Sequence, residues 1–326
     1  MKTRRQLLIA LGASALAAPL ASFAQQQGKI RCVGILHALY PGNLDVEEFR
    51  KGLHELGRHE GENLSLEYRW AKGEPERLRA LADELVRTNV ELIFTATTPG
   101  ALAAKGATTT IPIVFVAVGD PVGAGVVSSL ARPGGNATGL THFSVDLVGK
   151  TLELLKEVVP GLRQVAVLSP SSNPTTALKL ARIQSAAHAL GVKVQIMEVR
   201  RPGDFELAFE SIRRQKPTAL MPLLDTLTVA HKKKITDFAR AYRLPTIFEL
   251  REFVEAGGLV SYGTNYPAMY RHAATYVDKI LKGAKPNDLP VEQPTKFELI
   301  INMKTAKALG VKFPQAILVR ADEVIE

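Results

Sequence analysis

Apolar positions along this chain fall into two rhythms, short unbroken runs and longer stretches at helical spacing. Cys32 to Leu36 is the first run and predicts a strand. A helix is expected from about Val46 to Arg58, with Phe49, Leu53 and Leu56 on one face and Gly57 or Gly61 ending it. Leu64 to Tyr68 alternates as a second strand. Pro75 suits the first turn of a helix that runs to about Thr88, with Leu78, Leu81, Ala82 and Leu85 inward. Leu92 to Thr95 is a third strand, Ala101 to Lys105 a short helix, and the β-branched run Ile113 to Val118 a fourth, buried strand. Connections of this length favour a parallel sheet with helices on both faces.

The fourth run stops at Gly119-Asp120-Pro121, a loop at the carboxyl end of a strand, where open α/β sheets place their ligands. A short helical segment ending near Leu130, the turn-rich Arg132 to Asn136 and a β-like piece from Thr138 to Phe143 follow. Then the rhythm restarts. Strands are expected at Gln164–Leu168, Lys193–Val199, Ala219–Leu224 and Thr246–Phe248, with helices at Thr175–Leu190, Asp204–Gln215 and Thr228–Tyr242 between them. Both halves open with an apolar strand and pass through a helix ending in Leu-Gly (Leu56-Gly57, Leu190-Gly191), an internal echo that supports two similar lobes.

The C-terminal elements are too few for a third domain: a strand at Leu259–Gly263, a helix at Pro267–Leu281, a strand at Phe297–Ile301, a short helix at Thr305–Leu309 and the apolar piece Ile317–Val319. They are expected to complete the two sheets. The chain then crosses between lobes near Leu140–Val145, Thr264–Pro267 and Val291–Phe297, a hinge of three tethers in which His142, Phe143, Asn265 and Thr295 take part. Lobe one is expected to be residues 29–141 with 265–290, and lobe two residues 142–264 with 291–326.

Residues 1–24 read as a cleaved signal peptide: basic Lys2, Arg4 and Arg5, an apolar Leu7–Leu20 stretch, and Ser22-Phe23-Ala24 before the cut. Thr3 to Leu8 also resembles a twin-arginine export signal. Export to the periplasm of a Gram-negative cell is the expectation. The formal charge of +9 falls to +6 when those three basic residues leave. The remaining basic residues are scattered, and Lys232-Lys233-Lys234 reads as a solvated helix face, so no nucleic-acid surface is expected. Cys32, the single cysteine, reads as a small buried hydrophobe.

Dinucleotide, Walker, nucleophile-elbow and zincin motifs are absent, and the histidines lack metal-ligand spacing; no cofactor, metal or catalytic residue is expected. What remains is polar residues at predicted strand ends: His37, Thr97, Thr98 and Asp120 in the first half, and Ser172, Asn173, Asp225, Glu249 and nearby Tyr262 in the second. Each has an ordinary reading beside the functional one, since the Thr and Ser–Asn groups suit helix caps and Asp120 an Asx turn. Together they line facing rims. Helix N-termini after Thr98 and Ser172 would offer N–H groups to a carboxylate, while Asp120, Asp225 or Glu249 would hold an ammonium group. That set suits a small zwitterion; neutral and anionic ligands fit it as well.

Several stretches carry a resemblance that covers essentially the whole mature chain. They are Gly119-Asp-Pro-Val122, Ser129 to Gly139, Lys150 to Lys156, Gly257 to Gly263, Tyr276 to Ala284, Asp288 to Glu298 and Lys304 to Gly310. In these the chain resembles the periplasmic solute-binding proteins of ABC transporters, the family that includes tryptophan- and tyrosine-type binding proteins. The resemblance implies a type I periplasmic-binding fold: α/β, with two Rossmann-like lobes, a three-crossing hinge and a ligand between the lobes. It also implies an inner-membrane permease as partner and a monomeric protein. Carried over by position, the contacts fall around His37, Thr97, Thr98 and Asp120, and around Asn173, Asp225 and Glu249. The approach to Asn173, Ser169-Pro170-Ser171-Ser172, and the loop His37–Gly42 are individual to this chain, which extends the expected ligands from aromatic or branched amino acids to aromatic acids. A periplasmic sensor module delivering closed lobes to a receptor, or an exported α/β enzyme, are the alternatives.

Overall fold

The computed structural model describes residues 30–42, 44–142, 144–171, 173 and 175–326; the expected signal peptide lies outside the described residues. The first sheet has five parallel strands, β1 (Arg31–His37), β2 (Leu64–Trp70), β3 (Leu92–Ala96), β4 (Ile113–Val118) and β5 (Ala137–Thr141), in the order β2-β1-β3-β4-β5. Strands β3, β4 and β5 are buried at every position, as continuous apolar runs covered on both faces should be. Helices α1 (Leu44–Glu55), α2 (Leu78–Arg87) and α3 (Thr97–Ala107) supply the crossovers.

After β5 the chain enters α4 (Ser144–Val158) and a second set of strands and helices: β6 (Gln164–Pro170), α5 (Thr176–Leu190), β7 (Lys193–Val199), α6 (Asp204–Gln215) and β8 (Ala219–Pro222). Helices α7 (Thr226–Ala230) and α8 (Lys232–Ala241), strand β9 (Ile247–Phe248), α9 (Arg251–Glu255) and β10 (Val260–Thr264) follow. The strands pair as β7-β6-β8, and a bridge from Leu220 to Thr246 joins this set to β9-β10. Helix α10 (Tyr266–Leu281) returns to the first sheet and packs along α1. There a Cβ on Gly52 would collide with the Arg271 carbonyl, so only glycine permits the approach. Phe49 of α1 stacks on Phe94 of β3 with centroids 3.8 Å apart. The chain then re-enters the second assembly as β11 (Phe297–Asn302), antiparallel to β10, followed by α11 (Met303–Leu309), α12 (Gln315–Arg320) and β12 (Glu323–Ile325).

Three segments therefore connect the two assemblies, and they are hydrogen-bonded to one another. Thr264 Oγ1 donates to the His142 carbonyl at 3.3 Å, Thr141 N to the Glu292 carbonyl at 3.0 Å, and Asn265 Nδ2 to Glu298 Oε1 at 2.9 Å.

Local differences from the sequence pattern have local causes. Between Pro121 and Leu130 the chain makes turns, not a helix: Gly125 takes φ 72°, and Asp120 and Pro121 accept the bonds of separate turns. The helix expected over Thr228–Tyr242 breaks at His231, whose backbone leaves the helical region while its ring Nδ1 meets the Leu227 carbonyl at 2.9 Å. Ile317 to Val319 lies within α12. Cys32 is half-buried against the core of the first sheet, and burial pushes its thiol pKa up.

Candidate functional site

The carboxyl ends of β1, β3 and β4 carry His37, Thr97 and Ala117, and β5 leads to His142. On the facing assembly, β6 leads to Asn173, β8 to Asp225 and β9 to Leu250. All seven line one cavity between the assemblies.

Backbone strain collects on the first rim. Thr97 has φ 68° and Ala117 φ 57°, where side chains with a Cβ are disfavoured, most of all a β-branched one. Ala117 lies where the register of β4 against β5 shifts. Thr97 and Thr98 open α3, whose N-cap position is Ala96, so no side chain caps its first N–H groups. An uncapped helix N-terminus facing a cavity is an anion site.

Lys179 lies at the opposite wall, a lysine only 2% exposed. Its Nζ is 3.2 Å from Glu249 Oε1 and 3.3 Å from the Leu224 carbonyl, so the buried charge has its counter-ion. Asp225 caps α7: its Oδ1 accepts from Leu227 N at 2.9 Å, and Thr228 Oγ1 closes the capping box by accepting from Asp225 N at 3.1 Å. Burial pushes the Asp225 pKa up against the pull of those N–H groups and of Lys179. Asp45, at the start of α1, is pushed up to about 7, first by burial and then by Glu252.

Two histidines line the cavity as neutral rings. Burial lowers His37 to about 4. Its Nδ1 accepts from Leu39 N at 3.1 Å, so Nε2 carries the proton and donates to Tyr270 Oη at 3.3 Å. The Tyr270 hydroxyl proton is thereby directed elsewhere. Burial, with Lys179 nearby, lowers His142 to about 3. Thr97 Oγ1, His142 Nδ1 and Ser144 Oγ are buried in the cavity wall with no hydrogen-bond partner. Buried polar atoms are nearly always paired, so three orphans around one enclosed space mark where a polar ligand completes the bonding.

Of the residues singled out from sequence, His37, Thr97, Thr98, Asn173 and Asp225 are brought together here. His142, expected in the hinge, also turns its ring into the cavity. Asp120 does not reach it. Its Oδ1 accepts from Gly123 N at 2.8 Å, the Asx-turn reading, and it borders an outer groove with Val122, Leu178 and Arg182. Glu249 stands behind Lys179 as its counter-ion and is not an open ammonium site. Tyr262 packs beside Phe297, centroids 6.0 Å apart, against the core of the second assembly. Asn265 and Thr295 border a separate pocket along the connecting segments. Ser172 and Phe143 lie outside the described residues. The pattern passes over Asp45, Ser144, Thr175, Lys179, Tyr266 and Tyr270, all in the cavity wall. One signal existed for Lys179: it shares the buried stripe Thr176, Ile183 and Ala187 of α5, where a cation is out of place.

Parallel α/β lobes joined by three segments, with a polar, partly orphaned cavity between them, define a two-lobed small-molecule binding protein. Residues 41–325 match the model of the ABC transporter substrate binding protein family, and the chain belongs to that family. It is 29% identical to the tyrosine-binding protein of Clostridioides difficile over 287 residues, 87% of this chain and 82% of that one. Among solved structures it is similar to a conserved domain protein from Vibrio cholerae (30% identity, 91% and 100% of the two chains, TM-score 0.85). It is also similar to an ABC domain from Streptococcus pneumonia in complex with L-Trp (24%, 90% and 99%, TM-score 0.84). A ligand-free, open substrate-binding protein from Clostridium difficile matches with TM-score 0.66 at 28% identity, over 91% and 99% of the chains. Members of the family bind solutes and are not enzymes.

Proposed function

We propose that this chain is the solute-binding component of an importer and that it captures a small carboxylate-bearing ligand, an amino acid or an aromatic acid, between its lobes. The observation that carries the reading is the cavity itself: an uncapped helix N-terminus at Thr97–Thr98, the buried cation Lys179 opposite, and orphaned polar atoms between them. A carboxylate meets the α3 N–H groups and Lys179; Asp225 and Asp45 are the acidic partners for an ammonium group; Leu39, Val229, Leu250 and Tyr266 form the apolar wall. The lobe arrangement supports capture by closure. Similarity is greater to the ligand-bound relative than to the open one, although identity to the bound one is lower. Closure completes bonds from both rims, and the closed form is the one an inner-membrane permease would accept, a shift of population with no chemistry.

Lobe one in this reading is residues 29–141 with 265–290, lobe two residues 142–264 with 291–326, and His142, Asn265 and Thr295 move with the connecting segments. Export through the N-terminal signal and residence in the periplasm as a monomer complete the proposal. Isothermal titration calorimetry of the protein with the amino acids and simple aromatic acids tests it. One-site binding of at least one compound is expected, weakened more than about tenfold by Lys179→Met, since a charge-assisted bond contributes about 1.5–3 kcal/mol. Saturable binding by none contradicts the proposal.

A further inference from the structure

Basic residues that stand far apart in the sequence are gathered by the fold at one end of the second assembly. Residues 29–141 with 265–290 carry 16 Lys and Arg against 15 Asp and Glu, close to neutral. Residues 142–264 with 291–326 carry 22 against 17, and so hold nearly all of the positive excess outside the signal peptide. The topology says where it lies. Strands β6 and β8 are parallel and run towards Asn173 and Asp225 at the cavity. Their first residues, and the last residues of the helices that lead into such strands, therefore form the pole farthest from it.

Arg163 and Lys193 stand at the entries to β6 and β7, joined by the Lys193 N–H bond to the Arg163 carbonyl at 2.9 Å. Arg213, Arg214 and Lys216 end α6 ahead of β8, where Thr218 N donates to the Gln164 carbonyl at 2.9 Å. Arg240 and Arg243 end α8 ahead of β9. The two helices are neighbours: Phe209 stacks on Phe238 with centroids 4.0 Å apart, and the Arg213 guanidinium lies 5.9 Å from the centre of the exposed Tyr242 ring. All of these basic residues are exposed. The acids among them are Glu210, paired with Arg213 and Arg214, and Asp237, paired with Arg240 and Lys233. Glu157, near the end of α4, is taken by Arg320 at 2.9 Å, and Glu323 belongs to β12 at the opposite edge of the strand order.

The backbone gives a second sign. Lys216 has φ 48° and Arg243 φ 51°, the left-handed turn that closes a helix. After α5 and α11 the same turn is made by Gly191 and Gly310, which adopt it freely. A cation gains from the helix dipole anywhere in the last turn, so that gain does not require the strained position. Neither Lys216 nor Arg243 makes an ion pair among the described residues.

We propose that this pole is a docking surface for the anionic phospholipid headgroups of a membrane. Guanidinium groups suit phosphate oxygens, and Tyr242, apolar in body and polar at its tip, suits the headgroup boundary. The cavity is at the other end of the lobe, so a docked protein keeps its cleft open to solute. The inference rests on the proposed function only in taking a membrane as the place of work.

The processed protein, as recovered after export, is sedimented with vesicles of phosphatidylcholine alone or mixed with phosphatidylglycerol. Binding is expected only to the mixed vesicles at about 0.1 M salt and should be lost at about 1 M, where the Debye length falls from about 10 Å to about 3 Å. Lys216→Gly/Arg243→Gly removes two charges and relieves both turns. It should fold at least as stably by urea denaturation and bind solute as before, yet bind the mixed vesicles about ten- to thirtyfold more weakly. No binding to mixed vesicles, equal binding to neutral ones, or unchanged vesicle binding by the double variant overturns the proposal. Retention on heparin without vesicle binding also overturns it, assigning the pole to an acidic macromolecule. Calorimetry with solute reads the proposed function separately, so the two fail independently.

Discussion

At the scale of single residues, the cavity trades stability for unsatisfied groups. Thr97 holds a β-branched side chain at φ 68° and points an unpartnered hydroxyl inward. Thr97→Gly should therefore raise stability by about 1 kcal/mol while weakening ligand binding, opposite signs that a purely structural residue would not give. Denaturant unfolding and calorimetry read the two effects separately. The buried Lys179–Glu249 pair should behave differently. Glu249→Gln leaves a buried lysine with no counter-ion and is expected to cost about 3 kcal/mol or more. An unchanged urea midpoint would contradict the pairing.

The titratable residues set a pH dependence whose sign can be worked out. His37 and His142 are held at about 4 and about 3, below the ordinary imidazole value, so between pH 4 and 6.5 the unfolded chain binds protons there that the folded chain refuses. Stability rises with pH through that window. Asp45, raised to about 7, works the other way: from about pH 4 to pH 7 the folded chain holds a proton that the unfolded chain has lost. Asp225 and Glu252, also raised by burial, add to the side of Asp45, so the contributions are read from the variants. Over pH 4 to pH 6.5 the thermal midpoint of His142→Asn should rise less with pH than that of the unaltered protein, and that of Asp45→Asn should rise more. An unchanged pH slope in His142→Asn would contradict the neutral burial of that ring.

At the scale of elements, apolar runs were the most legible feature because a strand buried on both faces needs nothing but apolar residues: Ile113 to Val118 matches β4 residue for residue. The same logic hides α4. Nine of its fifteen residues are buried, among them Ser144 and Thr151, so little polar face remains to mark a helical period. Capping chemistry likewise cuts both ways. Asp225 is at a strand end, as the sequence indicates, yet its first bonds go to its own helix, and Asp120 is spent entirely on a turn. Strand ends locate a site in an α/β protein; which strand-end residue is used depends on what its neighbours already take. The lysine run shows this in reverse. Lys233 and Lys234 pair with Asp237 and Glu206 on the surface, while the charge of Lys232 acts on Asp45 inside. Packing of α1 on α10 offers a further test at this scale. Gly52→Ala sets a methyl against the Arg271 carbonyl, which backbone bonding prevents from moving freely, and should cost about 1–3 kcal/mol in chemical denaturation.

At the scale of the whole molecule, the two assemblies, the three hydrogen-bonded connections and the cavity between them form a binding device whose parts were unequally visible. The repeated βα rhythm and the strand-end polar residues announced two lobes and five of the cavity residues. Asp45, Ser144 and the two tyrosines of α10 were not visible, because each sits on a helix face that becomes cavity wall only when the lobes are apposed, and Lys179 showed only as a cation on the buried stripe of α5. In this protein the apposed lobes are proposed to hold one small solute. Native mass spectrometry of the protein as purified tests it most directly, since an enclosed cleft retains its ligand through gentle desolvation. A single adduct of amino-acid size is expected, or its appearance at one equivalent when a mixture of amino acids and aromatic acids is added. Bare protein under both conditions would contradict it.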